Sequence, residues 1–218
     1  MAGAIAIIGT AGRREDAARI TPQLYDAMFG EAVAAIREWG CDEAVSGGAA
    51  VSDHLAVRAY LEGVVPGLRL FLPARFENGA FVPNPRVRFN PGQTSNGYHR
   101  AFSEACGMDS LDEIAQAIRK GAKVAVHEGF HLRNSEVAGA CSHLMAFTFG
   151  NGSALEEVQA DFLPEDEGFS EAEVAGLRDG GTAHTWGQAW KPVRKRHVYL
   201  GALERALKVG QSPKSLSA

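Results

Sequence analysis

The chain has 218 residues, 45% of them apolar, enough to bury a core without disulfide or metal staples. Its formal charge of −4 argues against a nucleic-acid groove, and the opening MAGAIAIIGTAGRRED lacks the long apolar run of a signal peptide or a membrane span. Cys41, Cys106 and Cys141, odd in number and widely spaced, fit reduced thiols in a cytoplasmic protein rather than a disulfide framework.

AIAIIG, residues 4–9, is a short apolar run closed by glycine and predicts a buried strand. Thr21 and Pro22 then supply an N-cap and an N1 proline for the helix through QLYDAMFGEAVAAIREWG. EAVSGG (43–48) predicts a second strand, SDHLAVRAYLEG (52–63) a helix capped by Ser52 or Asp53, and LRLFLP (68–73) a third strand. This alternation predicts an α/β, Rossmann-like fold: a doubly wound, mostly parallel sheet with helices on both faces. Residues 75–100 break the rhythm with Pro, Gly and Asn and read as an excursion or lid beside a site. Ser110 and Glu113 form a capping box for a helix that Gly121 can end. KVAVHE (123–128) predicts a strand, NSEVAGAC (134–141) a short helix and HLMAFTFG (143–150) a strand. After an irregular stretch at 150–169, Ser170 and Glu173 box another helix start, and DGGTAHTWGQAW (179–190) reads as a Gly-rich turn entering a helix. KPVRKRH (191–197) reads as a solvated connection into a last strand, RHVYL (196–200), and the tail after Gly210 as frayed. No repeat or linker divides residues 1–210, which predicts a single domain.

His127, Glu128 and His131 spell H-E-x-x-H, which in a zinc peptidase places two ligands and a general base on one helical face. Here Lys-Val-Ala-Val sets His127 at the end of a strand, and Gly129 would cost a helix about 1 kcal/mol relative to alanine. The match is therefore read as fortuitous, and no metal is expected.

The same residues take a different meaning as a loop, 128–135, at the carboxyl end of a parallel strand, the edge where open sheets bind ligands. Three other segments share that edge: Gly9, Thr10 and Arg13 in GTAGRR; Ser46, Gly47, Gly48 and Asp53 in SGGAAVSD; and Gly180, Gly181, Thr182 and Thr185 in DGGTAHT. Glycines let the backbone approach a ligand, and helix N-termini favour phosphate. Arg13, Arg14 and Arg133 add positive charge, so an anionic, nucleotide-like ligand is expected, with no cofactor and no nucleic-acid or membrane partner. Several residues carry two readings each. Asp53 is a helix cap or a ribose contact, Asn134 an N-cap or a ligand contact, and His131 and His184 ligand donors or loop packing. Trp186 reads as core, while Tyr98 and Phe102 read as core or as the cover of a base.

In their order, these segments resemble the SLOG superfamily of Rossmann-like nucleotide binders, which includes the Lonely Guy phosphoribohydrolases. SGGAAVSDHLA is similar to the family's Gly-rich strand-to-helix loop, FHLRNSEVAGACSHLMAF to the segment around its M-H-x-R-K motif, and GGTAHTW to its G-G-x-G-T-x-x-E phosphate loop. Residues 75–100 and 150–169 are not covered. The resemblance implies that Arg133 is the catalytic arginine and that Gly180, Gly181 and Thr182 form the phosphate turn. The position of the catalytic glutamate is Thr185, which cannot act as a carboxylate. GTAHTWG also resembles the G-T-A-x-E-x-G motif of nucleoside deoxyribosyltransferases, with the same glutamate missing. Two functions stay open. One is cleavage or transfer at the N-glycosidic bond of a nucleoside 5′-monophosphate, with Glu128 or Glu136 as the acid. The other is a non-catalytic sensor of a nucleotide-derived signal. The resemblance also implies a homodimer, for which the apolar helix around LYDAMFGEAVAAI offers a surface. An arginine at an open sheet edge, finally, is expected to support little of the core.

Overall fold

The computed structural model describes residues 3–86, 89–150, 160–162, 181–189 and 193–210. Six strands run parallel: β1 (Gly3–Gly9), β2 (Cys41–Ser46), β3 (Gly67–Leu72), β6 (Lys123–Val126), β7 (His143–Thr148) and β9 (Arg194–Tyr199). A short strand, β8 (Ala160–Phe162), lies antiparallel to β9, and the sheet order is β6-β3-β2-β1-β7-β9-β8. The chain therefore steps outward from β1 through β2 and β3 to β6, then returns to lay β7 on the other side of β1. The carboxyl ends of β1 and β7 mark the point where the winding reverses, the place where a sheet of this kind opens a crevice. The fold is α/β and Rossmann-like.

Both faces of the sheet are covered, and β1 shows why its sequence is apolar without alternation. Ile5 and Ile7 face a core built with α1 (Pro22–Trp39), α2 (His54–Leu61), α3 (Pro91–Cys106), α4 (Ser110–Lys120) and α7 (Leu200–Lys208). Ala6 and Ile8 face a smaller core with Val137 and Ala138 of α5 (Phe130–Gly139) and Trp186 of α6 (Gly181–Gln188). A strand buried on both faces needs apolar residues at every position. The Thr21 side chain accepts from Leu24 N to start α1, and Gly40, at φ +63°, ends it. No helix among the described residues is long and apolar enough to cross a membrane.

Several elements depart from their sequence signals. Residues 75–100 are not irregular throughout: a small hairpin, β4 (Phe76–Glu77) with β5 (Ala80–Phe81), precedes a turn, and α3 begins at Pro91. The first half of α3, PGQTSNGY, holds few good helix formers, which hides it from a propensity reading. Packing starts it instead, with Asn90 accepting from Gln93 N and Phe102 buried against Tyr25. The cap of α4 is Asp109, not Ser110, whose hydroxyl joins a buried network with His99 and Ser103. The described part of KPVRKRH, Val193 to His197, is no solvated connection. Arg194 to His197 lie in β9, with Lys195 buried and donating to Trp186 O at 2.9 Å and both arginines bonded to Glu38. A strand, β8, falls inside 150–169. The helix start assigned to Ser170 and Glu173, Gly180, and the tail after Gly210 lie outside the described residues.

Candidate functional site

At the reversal point the loops after β1, β2 and β7 are laced together. Thr10 N donates to Phe147 O at 2.9 Å, and Ser52 N to Thr10 O at 3.2 Å. Gly9 sits at φ +148°, and a Cβ there would overlap the Phe147 carbonyl oxygen and lie 2.7 Å from Ser52 Oγ, so only glycine fits. The two threonines expected at phosphate turn their hydroxyls to the protein. Thr10 Oγ1 donates to buried Asp16 at 2.7 Å and accepts from Gly12 N, while Thr182 Oγ1 donates to Gly9 O at 3.0 Å and ties α6 to the end of β1.

Beside this knot the β2 loop and α5 meet. Ser46 Oγ donates to Asp53 O at 2.9 Å and accepts from Gly48 N at 3.0 Å, which folds the Gly-Gly turn back on itself. The Asp53 carboxylate accepts from Gly47 N at 3.2 Å and from Arg133 Nη1 at 3.1 Å, and the Ala49 N–H also reaches it. Asp53 therefore makes no cap for α2 and is no open ribose contact; it is the buried counter-charge of Arg133. The guanidinium packs against Gly47, where a Cβ would lie 1.7 Å from Nη1 and 2.5 Å from Cζ. Burial holds the Asp53 carboxyl above its usual range, opposed by Arg133, and burial likewise pulls the Arg133 guanidinium down, opposed by Asp53. Arg133 Nε is buried and has no hydrogen-bond partner among the described residues. An arginine that reaches its carboxylate through one nitrogen keeps donor capacity beyond that pair.

The helices α5 and α6 complete the arrangement. Asn134 is buried, and its Nδ2 donates to Gly181 O at 3.3 Å, so it ties the helices together and does not cap α5; the cap position belongs to Gly129. The His131 and His184 rings meet edge to face at 5.3 Å at the surface, with Ser135 Oγ 3.4 Å from His184 Nε2. Thr185 is buried and returns its hydroxyl to Gly181 O at 2.8 Å. Neither acid expected beside Arg133 reaches it: Glu136 is exposed on α5, and Glu128 lines a separate cavity of about 280 Å³ with Arg75 and Arg86. The reason is helical geometry. The buried positions Arg133, Asn134, Val137 and Ala138 take the inner face and turn Glu136 outward.

The H-E-x-x-H residues do not share a helix. His127 N extends the sheet by donating to Leu72 O at 2.9 Å, Gly129 turns the chain at φ +94°, and His131 follows in the first turn of α5. Phe102 and Trp186 are core; Tyr98 instead lines an open groove, with Arg13 5.7 Å from its ring. Sequence reasoning overlooked His99, whose Nε2 meets Gly48 O at 3.1 Å and so braces the Gly-Gly turn from α3. Nothing local to a histidine in α3 signals that contact.

No family model matches the chain. Over 152 residues it is 38% identical to the protein named "Uncharacterized protein R261" of Acanthamoeba polyphaga mimivirus, a match that takes in 66% of this chain and 81% of the viral protein. The chain belongs to the family of that viral protein.

Proposed function

We propose that the chain binds a nucleotide or nucleotide-derived ligand at the carboxyl edge of its sheet and holds the ligand's phosphate with Arg133. The observation that carries this reading is the buried Arg133 guanidinium, anchored by Asp53 and fitted onto Gly47, with Nε unmet. A charge-assisted hydrogen bond from such a pre-positioned arginine is stronger than a neutral one, and a planar fork suits phosphate. The resemblance to SLOG proteins supports the same ligand class. Sensing without turnover is the preferred form. Thr185 stands where the family's glutamate is expected, and Asp53, the carboxylate next to Arg133, is fully engaged by Gly47, Ala49 and Arg133.

Cleavage at the N-glycosidic bond is the second reading, and one observation favours it: Glu128 lines a cavity at the same sheet edge. Titration calorimetry of nucleoside 5′-monophosphates into the wild type, Arg133→Ala and Arg133→Lys tests the binding site. The wild type binds, Ala loses about 1.5–3 kcal/mol of affinity, and Lys does not fully restore it. Equal affinity in all three proteins removes Arg133 from the site. Incubation with the same nucleotides and measurement of free base then decides between the readings, since a sensor releases none.

A further inference from the structure

A broad groove of about 830 Å³ opens beside the site, lined among others by Arg13, Phe89, Gln93, Tyr98 and Phe130. Pro85, Phe89, Asn90, Gln93, Thr94 and Tyr98 of its lining lie in a stretch that the SLOG resemblance does not cover. The groove lies next to the phosphate anchor: the ring of Phe130, one of its lining residues, is 6.0 Å from Arg133 Cζ. Phe89 is 72% exposed and stands at φ +64°, followed by Asn90 at φ +32°. Two consecutive non-glycine residues in the left-handed region are costly and persist only where the surroundings enforce them. Here the turn is bolted from within. Asn90 Oδ1 accepts from Asn84 N at 2.9 Å and from Gln93 N at 3.3 Å, and Thr94 Oγ1 donates to Phe89 O at 2.7 Å. The protein thus holds a large exposed ring in the lining of a groove whose far residue, Phe130, lies beside a buried arginine.

The geometry points to a subsite for an aromatic base, in which Phe89, Tyr98 and Phe130 contact the ring faces, Gln93 meets the base edge, and the phosphate lies toward Arg13 and Arg133. Stacking on aromatic side chains accepts any base, while an amide can donate and accept at its edge. The charge of the groove narrows the ligand further. Arg13 is the one charged residue among the described lining residues, and Asp53 offsets Arg133 nearby. That matches a monophosphate or phosphodiester rather than a triphosphate. This inference rests on the phosphate reading of Arg133.

The test titrates the four common nucleoside 5′-monophosphates, ribose 5-phosphate and ATP into the full chain, and into Phe89→Asn and Tyr98→Ala. Asparagine tolerates the left-handed region, so Phe89→Asn removes the ring and keeps the turn. The expected result is that at least one monophosphate binds the wild type roughly tenfold more tightly than ribose 5-phosphate, as one good stacking contact provides. Both variants lose that advantage and bind ribose 5-phosphate as the wild type does, and ATP binds no more tightly than AMP. Equal wild-type affinity for monophosphates and ribose 5-phosphate, or a base advantage that survives both substitutions, overturns the base subsite while the phosphate reading stands. Tighter binding of ATP than of AMP overturns the monophosphate assignment. If neither ribose 5-phosphate nor any nucleotide binds, the phosphate reading fails, and the subsite with it.

Discussion

Arg133→Ala tests the site through stability as well as affinity. The two side chains of the Arg133–Asp53 pair are only 9% and 5% exposed and meet at 3.1 Å. At an effective dielectric of about 20 their attraction is roughly 5 kcal/mol, most of it offset by the cost of removing both charges from water. Truncating one partner leaves that cost standing on Asp53. The expected loss of folding stability is therefore about 3–5 kcal/mol, against at most about 1 kcal/mol for an exposed pair. This reverses the expectation that an arginine at the sheet edge supports little. Proton linkage supplies a second signature. Burial already raises the folded-state pKa of Asp53, and removing Arg133, which opposes that rise, lifts it further. A group whose folded pKa lies above its unfolded value contributes stability below the unfolded pKa and loses it as pH rises through the folded pKa. The deficit of Arg133→Ala must therefore be largest near neutral pH and shrink as the solution is acidified. Urea unfolding of both proteins at pH 7 and pH 5 measures it, and adding Asp53→Asn to the variant recovers much of the loss at pH 7. A deficit under about 1 kcal/mol that does not change with pH refutes the reasoning.

Gly47→Ala should mimic the loss of Arg133 in both stability and nucleotide affinity, because its Cβ would collide with the guanidinium; wild-type behaviour in unfolding and titration would show that the arginine can move aside at little cost. Thr185→Glu should yield a destabilised protein that releases no base from nucleotides, because the position is buried on α6 and a carboxylate there lacks a partner; gain of base release would instead place that residue at the reacting centre. His54 and His99 are buried, and desolvation lowers their pKa values to about 3 and about 4. Their neutral forms hold the fold above about pH 6.5, so each should remove roughly 2 kcal/mol of stability by pH 5, readable in urea midpoints against His99→Gln, which has one titrating group fewer. The SLOG resemblance implies a homodimer, but Leu24, Met28 and Ile36 of α1 are already buried within the monomer and offer no surface for one. Light scattering at micromolar concentration should give twice the chain mass, and a single-chain mass would remove the dimer.

The layered α/β architecture was legible in local signals. Apolar runs such as AIAII, the Thr21–Pro22 start and the Gly40 and Gly121 stops are set by rules that act within a few residues. The edge loops were legible for the same reason, because glycine at a strand end announces a backbone turn or a close approach. What each polar side chain does there was not legible. Thr182 and Asn134 belong to the expected set, yet their side chains hold loops and helices to one another, because the packing of α6 brings Gly9 and Gly181 within their reach, while the Thr10 hydroxyl turns to Asp16. Asp53 and Arg133 are 80 positions apart, and only the packing of α5 over the end of β2 makes them partners. Glu136 and Thr185 were decided by helical phase, which turned the acid to solvent and the hydroxyl inward. Sequence by itself determined which segments become strands, helices and tight turns, since those preferences are local. Which charges meet, which donors stay unmet and which aromatic rings face a groove are long-range outcomes, and only the tertiary structure decided them.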